Sequence, residues 1–253
     1  MNDVESSAGH GDRDVTGMFD RIAHRYDLLN RLLSFGRDTA WRRRVAARLA
    51  DRRGQRVLDL ATGTADELLD MCRDPQALRF GVGLDPAGEM LKRGREKIVR
   101  RRLEDRLVLL RGDATHIPFG ADCFDAVTVA FGIRNMANVP GAFCEACRVL
   151  RPAGRLVVLE FSIPTHWAVR PAYLLYFRHV LPHVGAFLSG HGSAYRYLNQ
   201  SVESFPCGQA LCEAIRGAGF TNVHAQTLTF GIATLYQGEK AGPTGSGDRR
   251  EPL

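Results

Sequence analysis

The sequence predicts an α/β fold built on a seven-stranded, mostly parallel sheet with helices on both faces. Short apolar runs alternate with amphipathic stretches up to about residue 161, which is typical of parallel strands joined by crossover helices. The run from Arg155 to Phe161 is almost entirely apolar, as expected for a strand that helices cover on both sides. Two closely spaced strand patterns, at about 222–229 and 232–238, predict an antiparallel C-terminal hairpin.

The parallel strands are predicted at 56–60, 80–84, 107–110, 125–130 and 155–161. The helix after the first strand runs to about Arg73, because Asp74-Pro75 breaks it. The helix after the second strand has Pro86 in its first turn, where a missing N–H costs nothing. Its predicted buried residues are Met90, Leu91, Gly94 and Ile98. Further helices are predicted over about 139–150 and 206–217, and a turn at Pro152-x-Gly154 precedes the fifth strand.

The domain of residues 51–241 has additions at both ends and one inside it. Residues 1–14 and 242–253 are polar and are predicted to be disordered tails. Residues 15–50 form a predicted helical cap, in which Asp38 is expected to cap a helix that ends at Leu49. Residues 162–202 are rich in aromatic residues and interrupt the strand–helix alternation. We interpret them as an insertion that covers the functional site.

The 253-residue chain has a net charge of +6, and its arginine excess is clustered. The clusters are Arg42-Arg43-Arg44, Arg52-Arg53, Arg93, Arg95, Lys97 and Arg100-Arg101-Arg102. Such clusters meet nucleic acid or anionic membrane, or form an ordinary solvated face. No aromatic platform for a single strand accompanies the charge, so we expect an anionic membrane surface and no nucleic acid.

The six cysteines are scattered, and Cys144-x-x-Cys147 is their only close pair. This pair lies in a predicted amphipathic helix without the second Cys or His pair that a zinc site needs, so no metal is expected. Free thiols favour a reducing, cytoplasmic location. No apolar run approaches about 18 residues and no signal peptide is recognisable, so we expect at most peripheral attachment to the cytoplasmic membrane.

Two carboxylates at strand ends predict a nucleoside site. Asp59 lies near the end of the first strand and precedes a turn with one glycine, Gly63. Asp85 ends the second strand, a position suited to both hydroxyls of a ribose. Dinucleotide sites use several glycines to approach a pyrophosphate. A single glycine instead favours class I methyltransferases that use S-adenosyl-L-methionine, whose cofactor has no phosphate. A strand–turn–helix without a ligand is the alternative.

Most of the chain, from about Met18 to Lys240, resembles the ubiquinone/menaquinone biosynthesis C-methyltransferases. Two family signatures carry the resemblance. The first is Tyr26-Asp27-Leu28-Leu29-Asn30 with Ser34, Asp38 and Trp41, and the second is Arg148-Val149-Leu150-Arg151-Pro152-Ala153-Gly154-Arg155-Leu156 with Leu159-Glu160-Phe161-Ser162. Between and beyond them lie Phe131-Gly132-Ile133-Arg134-Asn135, His179-Val180-Leu181-Pro182 and Tyr195-Arg196-Tyr197-Leu198. The departures are Asp38 for His, Leu29 for Met, Ala65 for a loop glycine and Ala130 for a common serine.

The resemblance implies the class I methyltransferase fold and S-adenosyl-L-methionine as the cofactor. Its implied contacts are Thr64, Asp85, Asp113 and Ala114, with Asp59, Gly63 and Ala130 lining the methionine end. The residues themselves agree, because Asp85 suits the ribose, and Asp113 with the next backbone N–H suits the adenine. For Asp113, a helix N-cap is the alternative reading.

The implied reaction is methylation of a ring carbon of a demethylated polyprenyl quinol. Ring carbon is a poor nucleophile unless a neighbouring hydroxyl donates charge, and a phenol titrates only near pH ~10. Arg134, after the fourth strand, is the candidate that holds the developing negative oxygen, unless it only pairs with Glu160 or Asp125. Tyr26 and Asn135 are candidates for hydrogen bonds to the ring oxygens, and His179 is the candidate base by chemical type.

Several partners and acceptors stay open from the sequence. The signatures cover both naphthoquinol and benzoquinol acceptors, that is, demethylmenaquinol or the corresponding ubiquinol precursor. Another phenolic or sterol-like acceptor is an alternative, as is a cofactor-binding scaffold of a quinone-synthesis complex. A homodimer is also open.

Overall fold

The computed structural model describes residues 15–24, 26–34, 36–180 and 192–242. The tail predicted at 1–14 lies outside the described residues. The same is true of 243–253 in the other predicted tail and of 181–191 in the insertion.

One sheet of seven strands forms the centre of the molecule, in the order β3-β2-β1-β4-β5-β7-β6. The strands are β1 Gln55–Leu60, β2 Leu78–Asp85, β3 Leu107–Arg111, β4 Phe124–Ala130, β5 Leu150–Phe161, β6 Phe220–Leu228 and β7 Ala233–Lys240. The pairs β2–β3, β1–β2, β1–β4 and β4–β5 are parallel, whereas β7 is antiparallel to both β5 and β6. The predicted sheet and its C-terminal hairpin are therefore confirmed.

Helices cover both faces of this sheet. They are α1 at 15–22, α2 Tyr26–Leu33, α3 Arg37–Leu49, α4 Asp66–Met71, α5 Gly88–Arg100, α6 Val139–Val149, α7 Val169–Leu175, α8 Gly192–Ser204 and α9 Gln209–Gly217. Alternate strand residues separate two cores. Leu58 belongs to the core with α6 and α9, and Val57 belongs to the core with α3, α4 and α5. Burying both faces explains the continuous apolar strands.

The predicted buried face of α5 is confirmed at all four of its residues, Met90, Leu91, Gly94 and Ile98. At Gly94 the helix comes very close to its neighbours. A Cβ there would lie 2.6 Å from a methyl carbon of Leu109 and 3.2 Å from the backbone carbonyl carbon of Thr64. A larger side chain would therefore separate α5 from the sheet and from the turn after β1.

Several observed boundaries differ from the predicted ones. Gly36, with φ 72°, precedes α3, and Asp38 lies inside the first helical turn. Helix α5 begins at Gly88, so Pro86 precedes its first turn, and α4 ends at Met71, short of Arg73. The predicted turn before the fifth strand is instead an irregularity within β5, where Ala153 has φ 61°.

The N-terminal helices lie on the carboxyl edge of the sheet and are fixed there by two carboxylates. Asp20 of α1 accepts a hydrogen bond from the backbone N–H of Glu89 at 2.9 Å. Asp27 of α2 accepts one from the hydroxyl of Thr64 at 2.6 Å and forms an ion pair with Lys97. These contacts join the cap to the first turn of α5 and to the turn after β1.

The 162–202 segment packs against this cap. Met18 and Ile22 of α1 share a small core with Tyr173, Phe177 and Val202. Within the described ranges, no helix combines the length and apolar character that crossing a membrane would require.

The close approach at Gly94 generates a stability prediction. Gly94→Val should lower the free energy of unfolding by about 1–3 kcal/mol, because the added carbons overpack a filled space. Urea denaturation would measure this loss. Gly217→Val is the matched control, since no heavy atom outside its own helix backbone and chain neighbours lies within 4 Å of a Cβ there. Equal stability of the two variants would contradict the packing argument.

Candidate functional site

The site lies where β1 and β4 end side by side. The strand order reverses between these two strands, and open α/β sheets bind ligands at such switch points. Ala61 follows β1 and Phe131 follows β4, and both adopt a left-handed backbone, with φ 51° and 60°. The two turns touch, because a Cβ on Gly132 would lie 2.3 Å from the Cβ of Ala61. Glycine is therefore needed at 132.

A small cavity of about 80 Å³ lies above the ends of β1 and β2. Gly63, Asp85 and Ala130 line it, together with Val15 and Phe19 of the cap. These are three of the seven predicted cofactor residues, and the structure brings them together at one wall.

Asp85 is the buried acid of this cavity. Its carboxylate accepts hydrogen bonds from the backbone N–H groups of Gly63 and Ala87, each at 2.8 Å. Burial raises the pKa of Asp85 to about 6, and the two amide bonds oppose that rise. A carboxylate offers about four lone-pair positions, so two remain for the hydroxyls of a ligand.

The other predicted cofactor residues do not line the small cavity. Asp59 is buried on β1 and accepts a hydrogen bond from the Thr128 hydroxyl at 2.7 Å, and burial raises its pKa to about 6. The Thr64 hydroxyl is occupied by Asp27 and by Lys97.

Two of them lie at the end of β3. Asp113 accepts a hydrogen bond from the backbone N–H of Thr115 at 2.8 Å, and Ala114 belongs to the core beneath the sheet. The bond to Thr115 is a local turn contact, and no helix follows Asp113 between β3 and β4, so the helix N-cap that the sequence left open is not what the structure has. A role in adenine binding stays a prediction for both residues.

A larger cavity of about 390 Å³ adjoins the small one. Its volume falls in the range of pockets that hold small ligands, roughly 300–1,000 Å³. Aromatic rings from the cap, the strand ends and the 162–202 segment form much of its wall, including Trp41, Phe161, Tyr173 and Phe177. Buried polar groups, among them Asp38, interrupt the apolar lining. A flat ring with oxygen substituents suits this combination.

Arg134 is one of these polar groups. Its guanidinium forms a 2.5 Å ion pair with Glu160 and donates to the Phe131 carbonyl at 2.8 Å. The side chains of Arg134 and Glu160 are only 6% and 1% exposed. The predicted pairing with Glu160 therefore exists, but Arg134 also lines the large cavity, and its Nε has no hydrogen-bond partner among the described residues. The pair leaves donor capacity for a ligand.

Three residues line both cavities, namely Phe19, Tyr26 and Phe131. The ring of Phe19 packs edge-on against that of Tyr26, with centroids 6.0 Å apart. Burial raises the pKa of Tyr26, while the charges of Arg42 and Arg134 and a hydrogen bond with Asn30 oppose the rise. The two cavities therefore adjoin along these three residues.

The structure separates the remaining predicted residues. Asn135 lines the small cavity, and its side-chain oxygen accepts a hydrogen bond from the Tyr197 hydroxyl at 3.2 Å. His179 lies on the single turn Tyr176–Val180, where its side chain is exposed and lines neither cavity. Chemical type alone suggested His179, and the geometry does not bring it to the site. The described part of the chain contains no group of His, Cys, Asp and Glu that could hold a metal ion.

Sequence reasoning missed Arg42 and Glu67. Arg42 was placed in a surface cluster, but it is 8% exposed, lines the large cavity and forms a 3.6 Å ion pair with Glu67. A signal was present in the sequence. Arg42 shares the helical spacing of the buried α3 residues Asp38, Trp41 and Val45, which puts it on the inner face.

The fold has a counterpart among solved structures. An S-adenosylmethionine-dependent methyltransferase of Thermotoga maritima aligns with a TM-score of 0.61 at 16% identity, covering 89% of this chain and 99% of that one. At this identity the likeness shows a shared fold, the open α/β sheet with its switch point between β1 and β4. The family to which the chain belongs, given next, is one of methyltransferases and makes the protein a class I methyltransferase that uses S-adenosyl-L-methionine.

Sequence comparison identifies the family. The model of the ubiE/COQ5 methyltransferase family matches residues 7–240. A demethylmenaquinone methyltransferase of Thermus thermophilus is 48% identical over 223 residues, 88% of this chain and 100% of that protein. The ubiquinone/menaquinone biosynthesis C-methyltransferase UbiE of Geotalea daltonii is 42% identical over 227 residues, 89% of this chain and 96% of that protein. The chain belongs to the ubiE/COQ5 methyltransferase family.

Asp85 gives a prediction for cofactor affinity. Asp85→Asn should weaken S-adenosyl-L-methionine binding by about 1.5–3 kcal/mol, because a charged acceptor for the ribose is lost. Wild-type affinity should also fall as the pH drops through about 6, where Asp85 takes up a proton. Above that pH the carboxylate is ionised and the affinity should be constant.

Titration calorimetry from pH 5 to 8 would measure both effects. The variant should lose the part of the pH dependence that Asp85 contributes, and any weaker step that remains near pH 6 belongs to Asp59, whose pKa burial raises to the same range. A folded Asp85→Asn protein with wild-type affinity and an unchanged pH profile would remove Asp85 from the cofactor site.

Proposed function

We propose that this protein transfers the methyl group of S-adenosyl-L-methionine to a ring carbon of a demethylated polyprenyl quinol. The observation that carries the proposal is the aromatic cavity that shares Tyr26 with the small cavity. Family membership and the names of the two relatives support it. A polyprenyl naphthoquinol is the first candidate acceptor, because the Thermus thermophilus relative is named a demethylmenaquinone methyltransferase.

A benzoquinol precursor of ubiquinone is the second candidate. The Geotalea daltonii relative is named for both pathways, which favours testing both rings. Turnover with a demethylated naphthoquinol and with a benzoquinol, followed by mass spectrometry of the methylated product, distinguishes the candidates. Neither ring being methylated would overturn the proposal.

In the proposed cofactor pose, Asp85 holds the ribose hydroxyls and Gly63 allows the close approach of the backbone. Ala130 would line the methionine end, with Asp59 and Thr64 beyond it, and Asp113 and Ala114 after β3 would hold the adenine. S-adenosyl-L-methionine would supply an activated methyl group, and the lining shared at Tyr26 would let the acceptor in the large cavity approach it.

The chemistry requires negative charge on the ring oxygen beside the methylated carbon. In our proposal Arg134 holds this oxygen, since its buried guanidinium retains an unpaired Nε. A preorganised donor in a water-poor cavity stabilises developing charge strongly because it needs no reorganisation during the reaction. Tyr26 and Asn135 supply further hydrogen bonds near the shared wall.

The polyprenyl tail implies contact with a membrane. Three exposed apolar side chains lie in the 162–202 segment and in the turn before β7, both of which contribute lining residues to the large cavity. They are Trp167, Leu175 and Phe230, which are 82%, 64% and 78% exposed. We call them the apolar rim. Leu175 lies between Tyr173 and Tyr176, and Phe230 follows Thr229, so a tail that leaves the cavity would emerge here.

Part of the predicted basic surface is internal. Arg42 is buried, and Lys97 is bound to Asp27 and Asp66. The exposed arginines Arg43 and Arg44 remain available to anionic lipid, each contributing about 1 kcal/mol near the surface.

The role of Arg134 in turnover is tested best in a variant that does not leave the Glu160 carboxylate buried without its cation. Arg134→Met alone would bury the charge of Glu160 without a cation, at a cost of about 3–5 kcal/mol. We therefore compare Arg134→Met/Glu160→Gln with Glu160→Gln. The double variant should lose about 10²–10³ in kcat, the effect of one lost oxyanion donor, while affinity for the cofactor stays unchanged.

Raising the pH should restore part of this rate, because more of the acceptor ionises unaided. Steady-state kinetics from pH 7 to 9.5 would show it. If the folded double variant turns over as fast as Glu160→Gln, then Arg134 has only a structural role.

The apolar rim predicts how the protein binds vesicles. Trp167→Ser/Phe230→Ser should reduce co-sedimentation with anionic vesicles, and added salt should reduce it further, because exposed charges are screened within about 10 Å at 0.1 M. Val99→Ser is the control, since Val99 is 56% exposed but lies on α5 outside the rim. Equal binding by rim and control variants, at all salt concentrations, would argue against peripheral attachment through this surface.

A further inference from the structure

Arg42 is a buried cation whose donors the protein does not fully use. Its guanidinium is 3.6 Å from Glu67, beyond a good hydrogen bond, and its Nε has no partner among the described residues. Neither carboxylate oxygen of Glu67 has a hydrogen-bond partner there. Buried polar groups are nearly always bonded, and Arg42 lines the large cavity, so its unbonded Nε is a donor that a ligand there can use.

The pairing with Glu67 does not account for all the hydrogen-bond donors of Arg42. Glu67 is 1% exposed and faces the carboxyl groups of Asp59, Asp66 and Asp70. Burial raises the pKa of Glu67 well above its usual range, and the charge of Arg42 opposes that rise. The pair at 3.6 Å leaves the Nε of Arg42 without a partner among the described residues, so Arg42 has donor capacity for the cavity that it lines.

Arg42 and Arg134 each pack over one ring of the same pair of phenylalanines. Phe131 and Phe161 pack with their centroids 4.4 Å apart. Arg42 lies over the Phe131 ring at 5.4 Å, and Arg134 lies over the Phe161 ring at 5.3 Å. Both guanidiniums line the large cavity, and the charge of each acts on Tyr26. The cavity therefore presents two separate cationic donors to one ligand.

We propose that Arg42 is a second acceptor-binding residue, which holds the ring oxygen that Arg134 does not hold. This inference rests on the proposed function, because a quinol has two ring oxygens. Arg134 binds the oxygen next to the methylated carbon, and Arg42 binds the oxygen across the ring. Arg42 thus selects dihydroxy rings over monophenols, because a monophenol leaves this buried donor unpaired.

The test compares two acceptors in two proteins. The acceptors are a demethylated naphthoquinol and the tailed 1-naphthol that lacks the second hydroxyl. The reference protein is Glu67→Gln, and the test protein is Arg42→Met/Glu67→Gln. Both carry the Gln substitution, so removing Arg42 does not leave the buried Glu67 carboxylate without its cation. In the reference, KM for the naphthol should be about ten- to a hundred-fold higher than for the quinol, the fold-change for one charged hydrogen bond.

In the double variant this preference should vanish, with KM for the quinol raised and kcat changed by less than about three-fold. A structural role would raise both KM values equally and would lower affinity for the cofactor. Arg42→Lys/Glu67→Gln keeps a positive charge at position 42 but lacks the planar set of guanidinium donors, so it should show an intermediate preference for the quinol. This variant replaces the Met variant in the test if the Met variant does not fold.

The outcomes separate the two proposals. If the wild-type protein methylates no quinol, the proposed function fails. If it does, and the double variant keeps the quinol preference of its reference, the role of Arg42 is overturned.

Discussion

The closure of the N-terminal helices over the carboxyl edge is the constraint on which the site depends. Asp27 maintains it by binding both Thr64, in the turn after β1, and Lys97, in α5. The side chains of Lys97 and Asp27 are 16% and 34% exposed, so the pair is partly shielded from water and from salt. Without the cap the sheet would still form, but neither cavity would have its outer wall.

The cap also supplies lining that the two cavities share. Phe19 and Tyr26 come from the cap, and Phe131 comes from the turn after β4. These residues line both a polar cavity with a buried acid and an aromatic cavity with buried arginines. In the proposed function, a sulfonium and an aromatic ring would meet along this shared lining, oriented and sheltered from water, which are conditions that favour transfer to carbon.

The sequence predicted the parts of the fold that periodicity determines. Apolar runs located all seven strands, and helical spacing identified the buried face of α5. Helix ends were less well predicted, because Gly36 in a left-handed conformation displaced Asp38 from the cap position. Strand-end logic placed Asp85 correctly on a cavity wall, since the position of a strand end in a parallel sheet is set by topology.

Side-chain partners were beyond the sequence because they depend on packing between distant elements. Charge composition placed Arg42 on the surface, although α3 turns it inward towards Glu67. Chemical type suggested His179, but the 162–202 segment presents it to solvent. Arg134 pairs with Glu160, as one of the two readings from the sequence held, and it also lines the cavity, so its catalytic role stays a prediction.

The central claim is that the cofactor and the acceptor meet across Tyr26. A crystal structure with S-adenosylhomocysteine and a quinol analogue tests it most directly. The account predicts the sulfur in the small cavity, facing past Tyr26 towards a ring in the large cavity, with one ring oxygen at Arg134. A ring bound outside the large cavity, or a sulfur separated from it by Phe131, would contradict the account.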